Sequence, residues 1–163
     1  MSPRHSSLIT GLQLSLRAAV SAGLAVAIAQ VLKLQYPLYA LLAAVIVLDL
    51  SPARTQQLAV QRLAGTLVGA TVGAALSYVL PSGPVAIMVS ILAAMLVSYG
   101  VRLQAAAKLA GYVCGIVILS HDADAWTYAA YRVIETFLGI AMAVLVSLVP
   151  KLMRVEIPDT TDE

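Results

Sequence analysis

The sequence predicts an all-α, polytopic membrane protein with six transmembrane helices arranged as two inverted three-helix repeats. Three observations predict it. The first is composition: 61% of the 163 residues are hydrophobic and 11% are charged, and mean hydropathy is +0.92, which leaves too few polar groups to cover a soluble globule. The second is the row of six apolar segments, at about 8–32, 36–50, 59–80, 84–101, 106–120 and 127–149, separated by turn formers or charge. The third is a repeat. The stretch RLAGTLVGATVGAALSYVLP that opens on Arg62 returns seventy residues later as RVIETFLGIAMAVLVSLVP, so that Arg132, Thr136, Gly139 and Ser147 fall on Arg62, Thr66, Gly69 and Ser77 without a gap. Aligned at that offset, 41–80 and 111–150 share nine of forty positions. Each copy holds three segments, and an odd number of crossings makes the second copy enter from the opposite side. The expected organisation is a six-helix domain over 1–155, with repeat one at about 8–80 and repeat two at about 84–150, and an acidic cytoplasmic tail at 156–163.

Segment one follows Arg4 and His5 and ends in AIAQ, which mimics a signal-peptide cleavage site. Its length, and Gln13 and Arg17 inside it, predict a retained helix instead. Segment two is short, bounded by Lys33 and Asp49, and is disturbed by Pro37. Segment three carries Gly65, Gly69, Gly73 and Ser77 at every fourth position, a face with almost no side chain that another backbone can approach closely. Helix packing is the plainer use of such a face, although it also offers a seam to a second copy. Segment four follows the turn PSGP. Segment five is short again, between Lys108 and His121, and is loosened by Gly111 and Gly115; its Cys114 is the single cysteine, so no internal disulfide can form. Segment six repeats the small-residue face around Gly139.

With the N-terminus in the cytoplasm, inside loops carry Arg4, Arg54, Arg102, Lys151 and Arg154, whereas outside loops hold Lys33 with Asp122 and Asp124. The same orientation gathers Tyr36, Tyr39, Tyr78, Trp126, Tyr128 and Tyr131 near the outer boundary, where amphipathic rings sit between headgroup and tail. A multi-pass protein of the inner membrane with both termini cytoplasmic is expected.

Segments two and five are short and occupy matching places in the two halves. Interrupted helices so placed point to a transport site near the repeat interface, because freed backbone groups there can bind a solute or ion. Ionisable residues within lipid-spanning helices are costly and normally face protein or water, which singles out Arg17, Arg62, Lys108, Arg132 and Glu135, with Asp49 at a helix end. Arg132 and Glu135 are three apart on one face and can pair. Arg62 has Gly65 at the equivalent place, so its guanidinium is left for an anionic ligand or for Asp49. Arg62, Arg132, Arg17 and Lys108 are therefore the expected substrate path, and Glu135 or Asp49 would couple protons or hold an ion pair. The competing use of such cations is to reach headgroups from helix ends, which suits Arg17, Lys33 and Arg54.

His121 beside Asp122 and Asp124 reads as a solvated loop, so neither a metal nor a cofactor is expected. No nucleophile with a partner base and no phosphate loop is present, so no enzyme is expected. The ten Lys and Arg are scattered and net charge is +2, which argues against a nucleic-acid partner.

The short helix YALLAAVIVLDLSP, followed by a polar connector and QRLAGTLVGATVGAAL, resembles the fusaric acid resistance and aromatic acid exporter superfamily, to which plant aluminium-activated malate channels are related. The second-half echo AYRVIETFLGIAMAVLVSLV is similar to the matching part of such proteins, and the resemblance covers 36–80 and 105–150. It implies a six-helix membrane unit that moves small organic anions, with Arg62 and Arg132 matching the arginines that open the two glycine-bearing helices. One such unit without a folded cytoplasmic domain implies assembly of two or more copies, in contact with membrane lipid. A non-transporting scaffold, or a ligand-capture subunit of a larger complex, is the rival expectation.

Overall fold

The computed structural model describes residues 3–81, 83–120 and 124–149, with side chains from residue 8 onward. The expected tail at 156–163, Lys151 and Arg154, and the loop residues His121 and Asp122 lie outside the described residues, as do the side chains of Arg4 and His5. Among the described residues every regular element is helical: α1 Pro3–Val31, α2 Pro37–Val47, α3 Pro52–Leu76, α4 Pro84–Gly100, a single 3-10 turn Gln104–Ala106, α5 Ala107–Leu119 and α6 Ala125–Ser147.

Proline sets three of the starts. Pro37, Pro52 and Pro84 each stand at the first turn, where the missing N–H costs nothing and the fixed φ favours the helix. This is why α3 begins at Pro52 and not near 59: the connector ARTQQ is polar, but Pro52 nucleates it and its arginine and glutamines are good helix formers. α1 and α4 stop in the same way. Lys33 (φ 52°) and Arg102 (φ 61°) adopt the left-handed conformation, and Leu34 and Leu103 return N–H bonds of 2.9 and 2.8 Å to Ala29 and Ser98, while Lys33 and Arg102 bond Gln30 and Tyr99. Both are the Schellman stop, made with a cation in place of glycine.

Three helices, Leu8–Val31, Pro52–Leu76 and Ala125–Ser147, are long and apolar enough to cross a membrane; Pro37–Val47, Pro84–Gly100 and Gln104–Leu119 are shorter apolar helices. At about 1.5 Å per residue, α2 is about 17 Å long, well short of the ~30 Å hydrocarbon thickness. The shortness of segments two and five is therefore real, and the chain leaves α2 at Leu48 into an extended turn (ψ 130°).

Packing runs through small residues. The buried set is dominated by alanine, including Ala25, Ala40, Ala43, Ala74, Ala94, Ala110 and Ala143, whereas Leu67, Leu92, Leu96, Ile134, Phe137 and Leu145 are exposed. That is the reverse of a soluble protein and is what lipid selects: close backbones inside, large apolar side chains outside. These features make the chain a membrane protein.

α3 packs on α5 and α6, α2 on α6 and α1, α4 on α5 and α3, and α1 on α6. Exchanging α1 with α4, α2 with α5 and α3 with α6 turns this set of packed pairs into itself. Gly69 fits against Ala110 and Gly139 against Ala40, partners that also differ by seventy positions. At both glycines an added Cβ would run into the carbonyl oxygen of that alanine. Gly65 and Gly73 likewise meet Leu109 and Val117 of α5, and Ser77 ends α3 by donating to the Ala74 carbonyl at 2.7 Å, as Ser147 does to Val144 at 2.8 Å. The glycine face of α3 is thus filled by α5 of the same chain. Cys114 is wholly buried beside Ser90.

Gly69→Ala and Gly139→Ala are each expected to destabilise the fold by about 1–3 kcal/mol, since rigid backbone must move to admit the methyl group. Gly23→Ala on α1, where nothing lies within 4 Å, should be neutral or gain up to about 1 kcal/mol. Unfolding in mixed micelles measures all three.

Candidate functional site

The buried face of α6 runs through Tyr128, Arg132, Glu135, Thr136, Gly139 and Ala143, and that of α3 through Thr55, Ala59, Arg62, Gly65, Thr66 and Gly69. Helical periodicity puts each arginine about two turns before a glycine on the same face. Because Gly139 lets α2 come close at Ala40, the first turn of α2 is delivered onto Arg132. Because Gly69 admits α5 at Ala110, Tyr112 is delivered towards Arg62.

Around Arg132 the result is an aromatic and ionic cluster. The guanidinium carbon lies 3.5 Å from the centre of the Tyr39 ring. The Tyr39 and Tyr128 hydroxyls are hydrogen-bonded to one another, and Tyr36 meets Tyr128 edge-on with ring centres 5.0 Å apart. Glu135 accepts a hydrogen bond of 2.6 Å from the backbone N–H of Tyr36, the residue preceding α2. Arg132 is 2% exposed and Glu135 0%, yet Nη1 of the one and Oε2 of the other have no hydrogen-bond partner. The pairing of Arg132 with Glu135 that their spacing allows is not made: the cation stacks on a ring and the carboxylate turns to a helix N-terminus.

Around Arg62 the arrangement is looser. Its guanidinium lies 5.7 Å from the Tyr112 ring centre, the residue is 4% exposed, and its Nε is unpartnered. A buried donor without a partner costs about 1–3 kcal/mol, more when charged, so the guanidinium groups of Arg62 and Arg132, and Arg17 on α1 whose Nε is likewise buried and unpartnered, call for water or an anion.

The remaining predicted residues are elsewhere. Arg17, half-buried on α1, reaches the Leu50 carbonyl at 3.5 Å in the turn between α2 and α3. Asp49 works in that same turn, its carboxylate accepting from the Ser51 N–H at 3.1 Å and its own N–H bonding Thr55 Oγ1 at 2.9 Å. Lys108 is exposed on the first turn of α5. Of the aromatics expected at the outer boundary, Trp126 and Tyr78 are exposed, whereas Tyr128 is buried, Tyr39 lies under Arg132 and Tyr36 packs on both of those tyrosines. A sequence signal for this existed: Tyr128 stands four residues before Arg132, on the same helical face. An open apolar groove of about 320 Å³ lies on the surface between α3 and α6, lined by Ala70, Thr71, Trp126, Ala129, Val133 and Ile134 among others.

A helical membrane protein with small-residue packing and buried arginines is the class that fold and site define. The family profile described as fusaric acid resistance protein-like matches residues 24–146, and the chain belongs to that family. The match runs from the last eight residues of α1 through nearly all of α6, so both arginines fall inside it. No curated protein and no solved structure is recognisably similar to the chain.

Tyr39→Phe is expected to cost about 1 kcal/mol of stability by removing the hydroxyl that partners Tyr128. Tyr39→Leu, which also removes the ring beneath Arg132, should cost about 2–3 kcal/mol. Equality of the two in mixed-micelle unfolding would show that the ring does not support the cation.

Proposed function

We propose that this protein carries small organic acid anions, aromatic acids among them, outward across the inner membrane. The observation that carries the reading is the pair of buried arginines, Arg62 and Arg132, whose guanidinium groups hold unpartnered nitrogens within a bundle whose core is mostly alanine. Buried like charges raise each other's cost, and a passing carboxylate lowers it. Membership of the fusaric acid resistance protein-like family supports transport or resistance as the general role.

The passage is proposed to lie between two oppositely oriented halves, with repeat one at 8–80 and repeat two at 84–150. The exchange of packed helix pairs, the twin glycine and alanine contacts and the twin helix stops support this reading. Both termini would then be cytoplasmic, and all six helices would belong to the spanning unit, the short α2 and α5 reaching mid-membrane from opposite sides. Arg17 and Lys108 would extend the positive path towards its mouths, copies of the chain would assemble side by side, and Glu135 is the acid placed to link passage to protons. Asp49, engaged in its turn, is the weaker candidate.

Benzoate flux into proteoliposomes tests the proposal. Arg62→Gln and Arg132→Gln should each reduce flux at least about tenfold, the equivalent of one lost charge-assisted contact. Folded variants that carry benzoate at the unaltered rate would remove the arginines from the pathway.

A further inference from the structure

The two halves differ at one chemically decisive place. Where the first half has Gly65 packed on Leu109 and the Ala106 carbonyl, the second has Glu135 reaching the N–H of Tyr36. α2 is eleven residues long with Pro37 at its first turn, and no side chain of its own N-cap residue satisfies the amides there. Pro37 has no N–H and Tyr39 donates its own to the Tyr36 carbonyl, so the Tyr36 N–H, at the positive end of the helix dipole, is the donor that meets an anion here. Arg132, nine-tenths buried and more, faces the same turn through its stack on Tyr39, and its Nη1 is unpartnered. Tyr36, Tyr39 and Tyr128 pack their rings against one another beside it. Helix N-terminus, guanidinium and aromatic rings together form a receptor for a carboxylate on a flat apolar body. A carboxylate from the chain itself already sits in it.

We propose that Glu135 is a tethered stand-in for the solute's carboxylate: it holds the anion site at the N-terminus of α2, and a solute binds there by displacing it. The assignment rests on the organic-anion reading of the pathway. It accounts for three facts that a structural ion pair does not. Glu135 bonds a backbone N–H 99 positions away in sequence and not the arginine one turn from it. Its second oxygen has no partner despite complete burial. And the matching position in the other half is glycine, so the fold does not need a carboxylate there. The site is consequently self-occupied when empty of solute, which keeps the buried Tyr36 N–H hydrogen-bonded between turnovers. An exchange of one carboxylate for another leaves the charge of the site unchanged.

The test is calorimetric titration of benzoate into the full chain in lipid nanodiscs. Glu135→Gln keeps the size of the side chain and an oxygen for the Tyr36 N–H but removes the competing charge, so benzoate should bind about tenfold more tightly than to the unaltered protein. Adding Arg132→Gln should abolish that gain. Unchanged or weaker binding by Glu135→Gln overturns the assignment. Tighter binding without benzoate flux through the unaltered protein would uphold the site and overturn the pathway; flux without binding at this site would do the opposite. Should Glu135→Gln fail to fold, infrared difference spectra of the unaltered protein carrying 13C-labelled glutamate decide the matter. Benzoate should shift a buried glutamate carboxylate band, and a spectrum in which no such band moves overturns the proposal.

Discussion

The close approach of backbones at Gly69 and Gly139 is the constraint on which the rest depends. A methyl group at either position would meet a carbonyl oxygen of the neighbouring helix, so these contacts fix how near α5 stands to α3 and α2 to α6. In lipid there is no hydrophobic gain in bringing one apolar helix to another, and van der Waals contact between small residues has to supply the association. The two short helices are held by that contact, and they in turn carry Tyr112 and Tyr39 to the arginines. Packing and site are thus one construction: the glycine two turns beyond each arginine decides which ring the guanidinium meets.

The electrostatic character of the site follows from what surrounds it. Arg62 and Arg132 are buried among alanines and rings, with no hydrogen-bonded carboxylate beside either. Cation–π contact, worth about 2 kcal/mol for a desolvated pair, offsets only part of the cost of taking a guanidinium out of water. What remains favours any negative group that can reach them. In the second half Glu135 is such a group, although the hydrogen bond it makes goes to the Tyr36 amide. The first half has no counterpart, and this asymmetry within a matched pair of folds is where the chemistry of the molecule departs from its packing.

Much of the fold was legible in the sequence because membrane helices leave direct traces. Composition gave the lipid environment, the seventy-residue offset gave the matching faces of α3 and α6, and the distance from Lys33 to Asp49 gave the short α2. The start of α3 was missed because a polar connector reads as a break, while Pro52 and the glutamines make it helical. Arg62, Arg132 and Glu135 were found as ionisable residues in apolar runs, and the structure places all three inside. Their partners were not legible in the same way. That Glu135 bonds the amide of Tyr36 depends on α2 approaching α6 at Gly139, a contact between residues nearly a hundred positions apart, and the tyrosines had a simpler reading as boundary residues. Arg17 read as a cation inside the first apolar segment and Asp49 as an acid at a helix end, and only the geometry of the 48–51 turn shows that Asp49 is bonded within it and that Arg17 reaches its Leu50 carbonyl.

The central claim is that the buried guanidinium groups meet a solute carboxylate inside the bundle. The most direct measurement is the anomalous signal of iodine in crystals of the full chain soaked with 4-iodobenzoate. The account predicts an iodine peak within the bundle, enclosed by Tyr36, Tyr39 and Tyr128, with the carboxylate density directed to Arg132. Iodine found only on the lipid-facing surface, with both arginines still enclosed by protein, would contradict it.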